Sequence, residues 1–202
     1  MWARQWGYRI ADLVKDNRET LIELDRQIGD ADHGENLDRG FCAVAEYLDA
    51  HADPHAEDVL RGIGMTLISN VGGAAGPLYG SAFIRMADVA NDELTPATLA
   101  AMLDRAVAAI QGRGHAQAHE KTMLDVWLPV SDAVNTAVDE GADLVASAQL
   151  MTETAHTAAQ NTIPMVATKG RASYLGERTI GHLDPGAAST QLILQALREC
   201  VS

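Results

Sequence analysis

Apolar residues return at three- and four-residue steps in stretch after stretch of this chain. That recurrence constrains its fold more than any other feature. Such a period puts side chains on one face of an α-helix, whereas a half-buried strand needs strict alternation. The chain shows no convincing period-two segment and no hairpin signal. Eight helical stretches account for most of its length. The first runs from near Trp6 to about Arg26, with Ile10, Leu13, Val14, Leu21, Ile22 and Leu24 as its apolar positions. The second spans about Asn36 to Asp49. The third follows an Asp53-Pro54 turn and carries Val59, Leu60, Ile63, Leu67 and Ile68. The fourth, after a glycine-rich interruption, holds Phe83, Ile84, Met86 and Val89. Thr95-Pro96 opens the fifth, since Thr caps well and Pro fits the first helical position. Gly112-Arg113-Gly114 closes it, and the sixth runs from about Met123 to Val138. Gly141-Ala142-Asp143 opens a seventh that extends to about Val166, where Pro164 kinks or ends it. Asp184-Pro185-Gly186 opens the last, which continues to Cys200. Short connections between helices of this kind favour an all-α fold, an antiparallel up-and-down bundle or closed barrel.

The 202 residues suit a single domain, 1–202. Fifteen Lys and Arg against 28 Asp and Glu give a net charge of −13, which argues against nucleic acid or an anionic membrane as the main partner. No stretch is long and apolar enough to span a bilayer. The opening MWARQWGYRI lacks the apolar core of a secretory signal. Cys42 and Cys200 are far apart in sequence and read as free thiols, so the expected setting is the cytoplasm.

The chemistry sits between helices. In Asp25-Arg26-Gln27-Ile28-Gly29-Asp30-Ala31-Asp32-His33-Gly34, three carboxylates fall within eight residues. They repel one another unless a hard cation or protons neutralise them. Magnesium prefers oxygen ligands and keeps phosphate or water oxygens in its shell. The spacing is not that of an EF-hand, and aspartates that merely cap a turn and the following helix remain an alternative. Gly72 to Gly80 is neither a Walker loop nor a dinucleotide fingerprint, because no Gly-Lys-Ser/Thr follows it and no strand precedes it. Small residues there either let backbone amides approach a phosphate or allow close helix packing. Thr168 to Arg178 gathers three of the fifteen basic residues, as a phosphate-binding loop or a solvated one. His115 and His119 stand at helical i,i+4 spacing, but no further ligand beside them supports zinc. In an up-and-down bundle, alternate loops meet at one end. A magnesium-nucleotide site on that rim follows, with carboxylates on the metal and glycine amides and Arg171 on the phosphates.

Four runs in order, IGDADHGENLDRGF, GMTLISNVGGAAGPLYG, KTMLDVW and KGRASYLGERTIGHLDPGA, together resemble the nucleotide-binding L subunits of dihydroxyacetone kinases, over nearly the whole chain. The resemblance implies an eight-helix antiparallel barrel with the magnesium-nucleotide site in the loops at one end. It implies that Asp25, Asp30 and Asp32 ligate two Mg²⁺ ions. It places His33, Gly34, Glu35, Asn36, Ala74, Ala75, Gly114, Met123, Arg171, Asp184, Pro185 and Gly186 around ADP or ATP, with Met123 on the adenine and Arg171 on the phosphates. Ala75 stands where relatives often have Ser, and His119-Glu120 where many have Gly-Asp. The Asp-Ala-Asp-His-Gly form resembles the phosphotransferase-system branch. There an M-type phosphohistidine subunit rephosphorylates bound ADP, and a K-type subunit presents dihydroxyacetone. The chain has no evident sugar-binding nucleophile and no catalytic residue beyond the metal-nucleotide site. Two alternatives stand beside this one: the nucleotide domain of an ATP-dependent ketose kinase, acting for example on erythrulose, and a non-catalytic binding protein that works through a transcriptional regulator.

Overall fold

The computed structural model describes residues 1–52 and 55–201, so the expected Asp53-Pro54 turn lies outside the described residues. The chain folds as α1 (Trp2–Asp16), α2 (Arg18–Ile28), α3 (His33–Ala50), α4 (Ala56–Asn70), α5 (Ala75–Ala87), α6 (Pro96–Gly114), α7 (Leu124–Asp139), α8 (Leu144–Asn161) and α9 (Pro185–Glu199). A 3-10 helix, Arg171–Thr179, lies between α8 and α9. No strand occurs among the described residues.

Helices α3 to α9 each pack on the next, and α1 touches both α3 and α9. Eight helices therefore close a ring, as expected, and α2 stands outside it against α3, α9 and the 3-10 helix. The apolar stripes face inward. Trp6, Phe41, Phe83 and Trp127 are fully buried, and burying a large apolar side chain contributes roughly 1.5–3 kcal/mol. The Trp6 and Phe83 ring centres lie 4.9 Å apart, with the ring planes tilted by 41°. Its indole N–H reaches across to donate to the Ile193 carbonyl at 2.9 Å.

Two helix boundaries differ from the sequence expectation. The first stretch breaks at Asn17, whose backbone leaves the helical region (φ −104°, ψ 8°). The Asn17 side-chain amide donates to the Leu13 carbonyl at 2.8 Å, sharing that acceptor with the Asn17 backbone N–H at 3.1 Å. The apolar period continues across this break, so periodicity gives no sign of it. Its consequence is functional, because α2 leaves the ring and carries Asp25 to one rim. The seventh stretch ends at Asn161 rather than near Val166. Pro164 then follows the helix end instead of kinking its interior, as is common just beyond a C-terminal cap.

Candidate functional site

The loops after α2, α4, α6 and α8 meet at one end of the ring around a cleft of about 300 Å³. Twelve of the fifteen residues expected at the site line it, namely Asp25, Asp30, Asp32, His33, Asn36, Ala74, Ala75, Met123, Arg171, Asp184, Pro185 and Gly186. Gly34, Glu35 and Gly114 do not. A Cβ at Gly34 would collide with the Arg18 carbonyl, so that glycine lets α3 approach α2 closely. Glu35 turns outward to an ion pair with Arg18 at 2.9 Å. Gly114 ends α6 and lies against Leu78, which does line the cleft.

The acidic cluster is built around Asp25. Its Oδ2 accepts from the backbone N–H groups of Asp32 at 2.9 Å and His33 at 3.1 Å. These two bonds bend the 29–32 loop back over the end of α2. Gly29 is obligatory in this turn, because a Cβ would run into Asp25 Oδ1. As a result, one carboxylate oxygen each from Asp25, Asp30 and Asp32 lies within 4.8 Å of the others. Burial raises the Asp25 pKa, the two backbone N–H bonds oppose that rise, and the neighbouring Asp30 and Asp32 charges add to it. A hard divalent cation matches this donor set, three carboxylate oxygens gathered at an open rim. No other such group of His, Cys, Asp and Glu occurs among the described residues. Arg171 stands beside it, its Nε in an ion pair 3.0 Å from Asp30 Oδ2 while the side chain stays 72% exposed.

The opposite wall is apolar and well anchored. Ala74, Ala75, Leu78 and Met123 line the cleft among its apolar members. Tyr79, buried in α5, bonds the Gly186 carbonyl at 3.0 Å, Ser189 Oγ at 2.7 Å and Thr190 Oγ1 at 2.9 Å. Ser189 in turn meets His33 Nε2 at 2.9 Å. This chain of bonds locks the starts of α3 and α9 to α5. Burial drives the His33 pKa down to about 4, so the ring is neutral at pH 7. Asp184 caps α9 through Ala187 N–H at 2.7 Å, and burial pushes its carboxyl up to about 7.

Sequence reasoning passed over Lys121. It is 1% exposed. Its ammonium donates to the carbonyls of Thr162 at 2.7 Å, Ile163 at 3.3 Å, Met165 at 3.2 Å and His182 at 2.6 Å. One cation thus staples the α6–α7 loop to both ends of the basic segment, beneath the cleft. Its backbone is left-handed (φ 60°), as are His115 (φ 50°) and His119 (φ 67°). Because α6 ends at Gly114, those two histidines share no helix face, and their i,i+4 spacing brings no pair together.

The model of the DAK2 domain family matches residues 27–199. The chain is 45% identical over 194 residues to the PEP-dependent dihydroxyacetone kinase ADP-binding subunit DhaL of Escherichia coli K12, covering 95% of this chain and 92% of that one. It is 38% identical to the PTS-dependent dihydroxyacetone kinase ADP-binding subunit DhaL of Lactococcus lactis, over 98% of this chain and 96% of that one. The crystal structure of the dihydroxyacetone kinase from C. freundii in complex with AMP-PNP and Mg²⁺ has the same fold. It superposes with a TM-score of 0.73 over 98% of this chain at 20% identity. The chain spans about a third of that longer protein, 33% of its length.

Proposed function

The chain belongs to the DAK2 domain family, among the ADP-binding subunits of dihydroxyacetone kinases, and from that premise we propose its division of labour. It holds ADP through two Mg²⁺ ions on Asp25, Asp30 and Asp32. An M-type phosphohistidine subunit rephosphorylates that ADP in the cytoplasm, and a K-type subunit presents dihydroxyacetone to receive the phosphoryl group. One observation carries this reading: the acidic triad, the glycine loop and the basic loop line one cleft. The metal ions would neutralise charge on the phosphates and brace the attacking and leaving oxygens.

The protein's own residues bind and orient. Asp25, fixed by two backbone N–H groups, presents the carboxylate that least needs to move. Gly72, Gly73 and Ala74 lead into α5, where free backbone N–H groups at a helix start suit phosphate oxygens. Met123, Ala75 and Leu78 offer an apolar wall of the kind an adenine face fills. Arg171 is exposed at the mouth and offers phosphate oxygens a planar fork of donors. Phosphoryl transfer asks mainly for such positioning and charge neutralisation.

The cleft has no evident group to capture a ketone. We therefore expect that the chain alone, supplied with ATP and Mg²⁺, forms no dihydroxyacetone phosphate. Turnover appears when K- and M-type subunits and phosphorylated donor protein are added. A coupled assay of each mixture checks this. Product from the chain alone at a rate comparable with the full mixture would overturn the division of labour.

A further inference from the structure

A second groove runs between α5 and α6, outside the cleft, with a volume of about 630 Å³. Arg85, Arg105 and Arg113 line it over a floor that includes Ala108, Ala109 and Gly112, and no carboxylate lines it. This is unusual in a chain of net charge −13. Of the twelve arginines, Arg105 and Arg113 are the two that make no hydrogen bond or ion pair among the described residues. Arg85 is partly engaged, since its Nη1 donates to Asp88 Oδ2 at 3.0 Å while Arg61 shares the same carboxylate. The groove adjoins the cleft. Gly114, the residue after Arg113, lies against Leu78 at the edge of the cleft, and α5 and α6 lead away from there along the flank.

We infer that this arginine groove is a docking surface for a carboxylate-bearing face of a partner protein that also covers the mouth of the cleft. The inference rests on the proposed phosphoryl-transfer reading, which requires protein partners at that mouth. Three physical points favour a protein over a small anion. Arg105 and Arg113 stand eight residues apart on one helix, about 12 Å along its axis, farther than a single phosphate reaches. The groove is open, and its small floor residues admit side chains from another surface close to the α6 backbone. Arginine is enriched where interfaces bind tightly, and opposed charge raises association rate and selects partners.

The test uses Arg105→Glu/Arg113→Glu, with Arg105→Ala/Arg113→Ala as the milder companion, in the full chain. Both side chains are exposed and unpaired, so melting temperature and Mg²⁺-ADP affinity should match the wild type. Rates are then measured against rising concentrations of the K-type subunit and, separately, the M-type subunit. The inference predicts that the apparent KM for at least one partner rises about tenfold or more in the Glu variant at low salt, while kcat at saturation holds. The gap should narrow at about 0.5 M salt, where surface charges are screened. Partner titrations indistinguishable from wild type overturn it. So does a wild-type dimer that the variant dissociates, which would make the occupant a second copy. Stoichiometric binding of pyrophosphate, in saturating Mg²⁺-ADP and lost in the variant, also overturns it. A wild type that binds no Mg²⁺-ADP refutes the reading of the cleft and this inference with it. A wild type that binds and turns over beside a variant that saturates identically refutes the inference alone.

Discussion

Asp32→Asn weakens Mg²⁺-dependent ADP binding by about 100-fold or more while leaving the metal-free protein folded. Replacing even a partner of a metal ligand typically costs 10- to 100-fold in affinity, so losing a ligand should reach the upper end of that range. Asp32 is the cleanest of the three carboxylates to remove. Its side chain is exposed and makes no capping bond at the start of α3. Its structural contribution is the backbone N–H that Asp25 Oδ2 accepts, and Asn retains it. The effects on metal-free stability oppose each other. A negative charge at a helix start is worth about 0.3–1 kcal/mol, and relief of repulsion from Asp25 and Asp30 offsets that loss, so the net change stays within about 1 kcal/mol. Calorimetric titration of ADP in Mg²⁺ buffer, with melting curves in chelator, separates the two effects. An affinity within twofold of wild type would remove Asp32 from the metal site.

Lys121→Met carries the largest expected cost to the fold. Methionine keeps the length and most of the apolar volume of the stem but removes the ammonium. The carbonyls of Met165 and His182 then lose their donor, while those of Thr162 and Ile163 keep the N–H groups of Met165 at 3.1 Å and Gly181 at 2.8 Å. Buried Asp184 also loses the cation that holds its pKa down. A buried acceptor left without a donor costs about 1–3 kcal/mol, so two of them imply a loss of about 2–5 kcal/mol. The lysine is itself partly disfavoured by burial, which lowers its pKa. The carbonyl cage outweighs that penalty, because its oxygens face inward whether or not a donor is present. Denaturant unfolding measures the difference directly. A loss below about 1 kcal/mol would mean the segment is held by other contacts. The same variant should blunt nucleotide binding, because the stapled segment leads into both Arg171 and Asp184.

The ring was legible in the sequence because each of its helices shows one apolar face and short connections force neighbours together. Asp25, Asp30 and Asp32 were legible because crowded like charges need an explanation wherever they occur. What stayed hidden depends on contacts distant in sequence. The break at Asn17 keeps the apolar period on both sides, so no pattern marks it. Lys121 reads as one more charged residue in a loop, and only the folded chain shows four carbonyls from residues 162–182 around its ammonium. Tyr79 reads as part of a glycine-rich turn. In the structure it is a buried helical residue joining α5 to α9. The resemblance sets Glu35 around the nucleotide, but the break that creates α2 also places Arg18 where it draws Glu35 away. Arg171 was expected on phosphates, and its contact with Asp30 places the same guanidinium at the junction of the acidic and basic loops.

On the proposed reading, the carboxylate cluster and the cleft form one site, in which metal and nucleotide bind together. Calorimetric titration of the wild-type protein with ADP, once in Mg²⁺ and once in chelator, is the test. One ADP per chain is expected in Mg²⁺, with a loss of affinity of about 100-fold or more in chelator, since the phosphates would then face three uncompensated carboxylates. Equal affinity in the two buffers, or no binding in Mg²⁺, would contradict it.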